Sequence, residues 1–397
     1  MKPPVPAGAD VHAHTQTVGW LELFFDLVVV AAVVAFSDAI SSHPTVENLF
    51  WVAAAFVGVW LVWFGTVFCF NQDRREEAWD RAIVVAAMVA LSVGAIAVGE
   101  GPSERRYLVG TAYVVMLVAL AMLNLRASTV NSQHRQFILE RAVLCGLAAV
   151  MIGGSMVFPP PWHIAGWWSA IALVGLLWFA HAWRSRSEIP PVDTVHLAER
   201  MGLLTIIVLG EAFVKLAIVA SGEAIDFLDV SVVVAMFLSV FGVFWVYFDD
   251  VPRAGIAESP LRRFFYFTGH VVMQAACVGL AIGMAGLIVS PHGVLSIKVA
   301  TLSAGSLATI YLGCALIGPG TRRVGVARLT ILRIATAGLL LATIPVLLTV
   351  EWVGPVSTAF ALAVVVLVHG ALAQRLRDNT STPPGFANAS AELSSEL

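Results

Sequence analysis

Apolar stretches of about 20 residues recur along nearly the whole of this 397-residue sequence, and each is long enough to cross the hydrocarbon core of a bilayer. Only 12% of the residues are charged, whereas a soluble globular protein carries about 25%. The pattern predicts an all-α, polytopic membrane helix bundle with about 12 transmembrane helices. The expected spans are residues 20–41, 48–70, 81–99, 107–126, 137–158, 164–183, 195–220, 228–248, 264–290, 293–317, 327–350 and 353–374.

Polar segments flank the predicted transmembrane domain, which covers residues 20–376. Residues 1–19 are expected to form a cytoplasmic N-terminal segment. Residues 377–397, rich in small polar side chains, are expected to form a disordered cytoplasmic tail. The basic residues support this orientation, because all but four of the 23 Lys and Arg residues then lie on the cytoplasmic side. The four exceptions are Arg105, Arg106, Lys215 and Lys298.

Two parts of the sequence resemble each other. Residues 17–22 read TVGWLE and residues 194–199 read TVHLAE, and each segment opens a span that runs outward. Spans two and eight both end in aromatic residues followed by acids, FCFNQD at 68–73 and VYFDD at 246–250. This pattern predicts a parallel internal repeat of six plus six helices, with halves at residues 20–183 and 195–376.

Charged side chains inside the first span are candidates for function, because such groups are costly in a bilayer. Glu22 and Asp26 are four residues apart and therefore share one helix face. Two interpretations stay open for them. The carboxylates either handle protons or ions, or they form structural pairs with an arginine of a neighbouring helix.

The seventh span carries four charged residues. Arg200 and Glu211 lie nearly on the same face, because 11 residues are close to three full helical turns. Glu211 and Lys215 have the favourable spacing and order for an ion pair. A buried Glu211–Lys215 salt bridge and a transport or ligand-binding role are both open. Glu199 and Arg200, at the inner end, are expected to position the helix at the membrane interface.

Span eight ends in Asp249 and Asp250, which either gather cations at an inner opening or are solvated helix-end carboxylates. His270 falls on an otherwise apolar stretch of span nine. A histidine there is either a hydrogen-bonded core residue or a member of a proton relay.

Other classes of chemistry lack a sequence signal. The four cysteines, which lie in different spans, have neither metal-binding nor disulfide spacing and are expected to pack as small apolar residues: Cys69, Cys145, Cys277 and Cys314. No hydrolase, zinc or nucleotide-binding motif is present. The net charge of −3 offers no basic surface for nucleic acid. We therefore expect no metal, no cofactor and no nucleic-acid partner, and an enzyme is the less favoured class.

Three segments resemble motifs of the bacterial low-temperature-requirement A family, LtrA. They are WLELFFDLVVVAAV at 20–33, ERMGLLTIIVLGEAF at 199–213 and WVYFDD at 245–250, with Gly269 and His270 as a further match. The resemblance covers about residues 15–375. It implies a multi-pass protein of the bacterial plasma membrane, named for growth in the cold, without an established substrate. Motif positions are matched by Glu22, Asp26, Glu199, Arg200, Glu211, Asp249, Asp250 and His270.

The chain departs from the family pattern at two places. In FNQDRREEAWDR, at residues 70–81, only Asp73 matches an acidic family stretch, which puts matching acidic sites in the two halves in doubt. Lys215 is not a motif position.

The leading hypothesis is a secondary transporter, or an ion- or proton-coupled carrier, in which Asp26 and Glu211 face a common cavity between the halves. The alternatives are a non-transporting structural or regulatory membrane protein and a membrane-embedded enzyme. The expected partners are the lipid bilayer and a small solute or ion, and the oligomeric state is left open. The binding or transport candidates are Glu22, Asp26, Glu199, Arg200, Glu211, Lys215, Asp249, Asp250 and His270.

Overall fold

Twelve long helices make up most of the computed structural model, which describes residues 19–72, 77–184, 192–220, 227–289, 294–323, 325–349 and 353–381. The first six are α1 (Trp20–Ser42), α2 (Val46–Gln72), α3 (Ala78–Val98), α4 (Arg106–Val130), α5 (Arg135–Ser155) and α6 (Trp162–Arg184). The second six are α7 (Thr194–Ala220), α8 (Phe227–Phe248), α9 (Pro260–Val289), α10 (Ile297–Ile317), α11 (Ala327–Thr349) and α12 (Pro355–Ser381).

The helices have the dimensions of membrane spans. In the described part of the chain, eleven helices are long and apolar enough to cross a bilayer. The helix α7 is outside those eleven, and its 27 residues give it sufficient length. No strand occurs among the described residues, and the predicted polytopic helix bundle is confirmed.

The last helix extends beyond its predicted end. Residues 377–381 continue α12, although the sequence placed them in the disordered tail. Near this extension, Arg377 Nη2 donates to Asp249 Oδ2 at 3.3 Å, so an interaction with the end of α8 is present where solvated chain was expected. The remaining tail, the first 18 residues, and residues 290–293, where the ninth and tenth predicted spans meet, lie outside the described residues.

Similar helix pairs are in contact in the two halves. In the first half α1 contacts α3, α3 contacts α4, α4 contacts α5, α5 contacts α6, and α2 contacts α6. The pairs six helices later are also in contact: α7 with α9, α9 with α10, α10 with α11, α11 with α12, and α8 with α12. A parallel duplication predicts this agreement. The repeat stays a prediction, which superposition of the two halves would test.

The two halves meet where α1 and α2 of the first half both contact α7 and α9 of the second, and α6 also contacts α9. The helix α9 also lies very close to α10. A Cβ atom on Gly269 would lie 2.7 Å from the Gly313 carbonyl oxygen, and one on Gly313 would lie 2.9 Å from the Gly269 carbonyl oxygen. Glycine at both positions is therefore required for this backbone contact, which holds α9 against α10.

Candidate functional site

An ion pair joins α1 to α7 where the halves meet. The Nη2 atom of Arg200 donates to Asp26 Oδ1 at 2.7 Å, and the Nε1–H group of Trp63 on α2 donates to the same oxygen at 2.7 Å. Only 2% of Asp26 and 0% of Arg200 are exposed. Asp26 is therefore held by one charged and one neutral donor, from two different helices.

Glu22 and His196 extend the pair into a group that we call the central cluster: Glu22, Asp26, His196 and Arg200. Glu22 Oε2 lies 3.4 Å from Arg200 Nε and 3.3 Å from His196 Nε2. The Glu22 carbonyl oxygen also accepts from Arg200 Nη2 at 3.2 Å. Each helix contributes two residues spaced by four, and this spacing places both on one face.

The central cluster leaves polar atoms unsatisfied. Buried atoms without a hydrogen-bond partner among the described residues include Glu22 Oε2, Asp26 Oδ2, His196 Nδ1 and Arg200 Nη1. Buried polar groups in native proteins are nearly always hydrogen-bonded. The cluster therefore has acceptor and donor atoms with which it can bind a proton, an ion or a polar group.

A second set of hydrogen bonds links α2, α7 and α9 beside the central cluster. Gln274 Oε1 accepts from Trp60 Nε1 at 2.7 Å, and Gln274 Nε2 donates to Thr205 Oγ1 at 2.9 Å. All three side chains are buried. None of them stands out in the sequence, because none is charged and nothing in linear spacing brings α2, α7 and α9 together.

His270 forms a hydrogen-bonded pair with Tyr247. Its Nδ1 atom is 2.7 Å from the Tyr266 carbonyl oxygen, which can only accept, so Nδ1 carries the hydrogen. In the neutral ring Nε2 then accepts from the Tyr247 hydroxyl, 2.9 Å away. This arrangement matches the hydrogen-bonded core histidine that the sequence left open, and His270 makes no hydrogen bond or ion pair with the central cluster in the described structure.

Towards the other end of α7, Glu211 and Lys215 do not form the salt bridge that the sequence left open. Lys215 pairs with Asp38 of α1, a residue that the sequence analysis missed. The side chain of Asp38 is 56% exposed, and the flexible lysine extends to this wetter position. Glu211 is only 3% exposed, and neither carboxylate oxygen has a hydrogen-bond partner among the described residues.

The expected common cavity of Asp26 and Glu211 does not follow from this geometry. The partner of Asp26 is Arg200, and 11 residues of helix place Glu211 about 16 Å further along α7. Neither carboxylate lines the cavities of about 280 Å³ and about 470 Å³ in the described structure. The two acids therefore belong to separate polar regions of the bundle.

The acidic pair after α8 is neutralised by arginines. Asp250 is buried and forms ion pairs with Arg323 and Arg333, and Asp249 Oδ2 accepts from Trp245 Nε1 at 2.8 Å and from Arg377. Both earlier alternatives, cation gathering and simple solvation, are therefore wrong for Asp250. The reason is that α11 contributes a buried arginine that cannot be assigned to Asp250 from linear spacing.

Glu199 and Arg200 do not form the predicted interfacial pair. Neighbouring helical residues point about 100° apart, so Glu199 is exposed while Arg200 lies in the centre of the bundle. His196 is a further residue that was not singled out from the sequence, and its position four residues before Arg200 was a usable signal. Among the described residues, no group of three or more His, Cys, Asp or Glu side chains could hold a metal ion.

Comparison with known proteins identifies relatives of the chain. The model of the family described as bacterial low temperature requirement A protein (LtrA) matches residues 17–371. The chain is also similar to "Uncharacterized protein RA0937" of Rhizobium meliloti (strain 1021), with 24% identity over 276 residues, which cover 66% of this chain and 67% of the relative. No solved structure matches.

Proposed function

The chain belongs to the bacterial low temperature requirement A (LtrA) family. We propose that it is a secondary carrier in the plasma membrane, which couples the movement of a small solute to a proton bound at the central cluster. The family's description also leads us to propose a role in growth at low temperature. Both termini are proposed to lie in the cytoplasm, as the basic residues predict.

The charge of the central cluster is the observation that carries this proposal. Glu22 and Asp26 are two carboxylates, and Arg200 is their one permanent cation. With His196 neutral, the formal charge is therefore −1 in a buried site. An uncompensated buried charge is strongly unfavourable, so a proton or a bound cation is needed for neutrality.

The position of the cluster suits alternating access. Its four residues come from the opening helix of each predicted half, α1 and α7, where the halves are in contact. In carriers built from two repeats, the substrate and the coupling ion bind between the repeats, and one repeat moves against the other. Exchange of a proton at Glu22, Asp26 or His196 would change the charge that holds α1 to α7.

The alternative is a non-transporting membrane protein in which these charges only join helices. The observation that favours it is the direct Asp26–Arg200 pair, which resembles the Asp250–Arg333 pair outside the cluster. The double variant Asp26→Asn with Arg200→Gln separates the two functions. If the charges only join helices, the variant should support growth in the cold as well as the wild type does. If the protein is a carrier, the variant should fail while its amount in the membrane stays normal.

Infrared spectroscopy tests the proton directly. At pH 7 the purified wild type should show the carbonyl-stretching band of a protonated carboxylic acid, or a protonated His196 signal. The part of either signal that belongs to the cluster should disappear in Asp26→Asn, because this substitution removes the cluster's excess negative charge, whereas a band from the buried Glu211 should remain. Asp80→Asn is the matched control, since Asp80 also pairs with an arginine, Arg126, at 2.6 Å but lies outside the cluster. Absence of both signals in the wild type would refute proton binding.

Transport is tested in proteoliposomes that contain a pH-sensitive dye. Amino acids, monocarboxylates, dicarboxylates, sugars and amines are added separately outside. A solute that is carried together with protons should change the internal pH in wild-type vesicles and in Asp80→Asn vesicles, but not in Asp26→Asn vesicles. A pH change of equal rate in Asp26→Asn vesicles would contradict the assignment of the coupling site.

A further inference from the structure

A cavity of about 280 Å³ lies between α2, α4, α5, α6 and α9, and no residue of the central cluster lines it. Its lining is almost entirely aliphatic and aromatic. On α5 it is lined by residues 141, 144, 145, 148 and 152, which is one helix face followed over 11 residues. The cavity therefore extends about 16 Å along the helix axis, which is the direction of a lipid chain in a bilayer.

Arg141 is the one charged side chain that lines this cavity in the described structure. It is 6% exposed, its Nη1 atom donates to Gln72 Oε1 at 2.9 Å, and its Nη2 atom donates to Cys69 Sγ at 3.2 Å. Its guanidinium carbon lies 4.6 Å from the centroid of the Phe68 ring. No carboxylate pairs with it among the described residues, unlike Arg333, which pairs with Asp250. A buried cation that lacks an anion favours binding of an anionic group.

Asn124 supplies a second unsatisfied group in the same lining. Its Nδ2 atom donates to the Leu120 carbonyl oxygen at 2.8 Å, whereas its buried Oδ1 atom has no partner among the described residues. Asn124 lies in the last turns of α4 and Arg141 in the first turns of α5, so both belong to the end of the cavity predicted to face the cytoplasm. The cavity thus has one polar, cationic end and a long apolar body.

We propose that this cavity binds one acyl chain of an anionic phospholipid of the bilayer, with the phosphate at Arg141 and the chain along α5 towards Ile152. Arg141 is six residues after the first residue of α5, about 9 Å along the helix, a depth that its long side chain can bridge to a lipid phosphate. Charge complementarity selects an anionic head group, and the apolar lining selects the chain.

Tryptophan quenching by brominated lipids tests this assignment, because Trp60 and Trp178 both line the cavity. The protein is reconstituted with phosphatidylcholine or phosphatidylglycerol that carries bromine on one acyl chain. Signal from the cavity is the part of the quenching that disappears in Trp178→Phe. We expect this part to show about a fivefold preference for phosphatidylglycerol, the factor that corresponds to the attraction between one basic residue and an anionic lipid.

Two variants and their controls make the test specific. Arg141→Gln should lower the preference to about one, whereas Arg126→Gln, an arginine near the same end of α4, should keep it. Gly175 lines the cavity, and a Cβ atom there meets no neighbour within 4 Å, so Gly175→Phe should fill the cavity and abolish the Trp178 quenching by both lipids. Gly146→Phe is its control, since Gly146 has similar free space but does not line the cavity.

Three outcomes would overturn the proposal. Equal quenching of wild-type protein by both lipids would remove the role of Arg141 in selecting the head group. Unchanged quenching in Gly175→Phe would place the lipid on the outer surface of the bundle. Quenching by a brominated free fatty acid, without quenching by brominated phosphatidylglycerol, would identify a different occupant.

Discussion

Removal of the Asp26 charge should destabilise the protein because it takes the closest anion away from a fully buried Arg200. In Asp26→Asn, the amide oxygen can still accept from Trp63, but the anion 2.7 Å from Arg200 is lost. Loss of one member of a buried ion pair costs about 3–5 kcal/mol. Glu22 remains 3.4 Å from Arg200 as a second anion, so we expect a loss near 3 kcal/mol.

The other contacts of Asp26 set the comparison values. Trp63→Phe removes one neutral hydrogen bond to the same Oδ1 atom, and such bonds in membrane proteins contribute about 0.6 kcal/mol on average and at most about 1.7 kcal/mol. Asp26→Asn should therefore cost at least about 1 kcal/mol more than Trp63→Phe. In the double variant with Arg200→Gln, neither member of the 2.7 Å pair is left without its partner. The combined loss should be smaller than the sum of the single losses, by about 2–3 kcal/mol.

These free energies are measured by reversible unfolding in mixed micelles. Unfolding of the wild type and of the Asp26 and Arg200 variants is followed by tryptophan fluorescence. Trp63→Phe itself is followed by circular dichroism, because it removes one of the fluorophores. Glu22→Gln serves as the matched control, since it removes a carboxylate of the same cluster that lies further from Arg200. Its loss should be smaller than that of Asp26→Asn. Additive losses in the double variant, or a larger loss for Glu22→Gln, would refute the reasoning that the 2.7 Å pair dominates the cluster.

Three further predictions concern other charged regions. Asp38→Asn should lower the thermal stability in detergent more than Lys215→Met does, because the first change strands a buried ammonium group whereas the second leaves an exposed carboxylate. The reverse order of stabilities would contradict the pairing of Asp38 with Lys215. Asp250→Asn should lower the free energy of unfolding by about 3–5 kcal/mol, since it strands the buried Arg333. Asp249→Asn should lower it by about 1 kcal/mol, because the Asp249 side chain is partly exposed to solvent. Equal losses for the two variants in unfolding experiments would refute the distinction. Reporter fusions should all report the cytoplasm when they are made at residues 130, 190, 255 and 377. One clear external signal among them would refute the proposed orientation.

Features set by local periodicity were predictable from the sequence. Glu22 and Asp26 share a face of α1 because residues four apart in a helix always do, and the same rule would have identified His196 with Arg200. Apolar length predicted the helices, because a membrane span has to satisfy its own backbone hydrogen bonds within about 20 residues. The extent of α12 was not predictable by this rule, since a helix that continues beyond the hydrocarbon region is no longer limited by apolar length.

The partners of the charged residues were not predictable, because a charge selects its partner by distance in space. The spacing of Glu211 and Lys215 favoured a pair within α7, but α1 brings Asp38 to the lysine at a more exposed position. A flexible ammonium group is stabilised more at that position than beside a carboxylate in the apolar interior. Arg200 and Arg333 likewise have carboxylate partners distant in sequence, whereas Arg141 has none among the described residues. Apolar length and periodicity were sufficient to place these charges in membrane-spanning helices. Which of them are neutralised follows from the fold, because it depends on which helices the packing of the bundle places side by side.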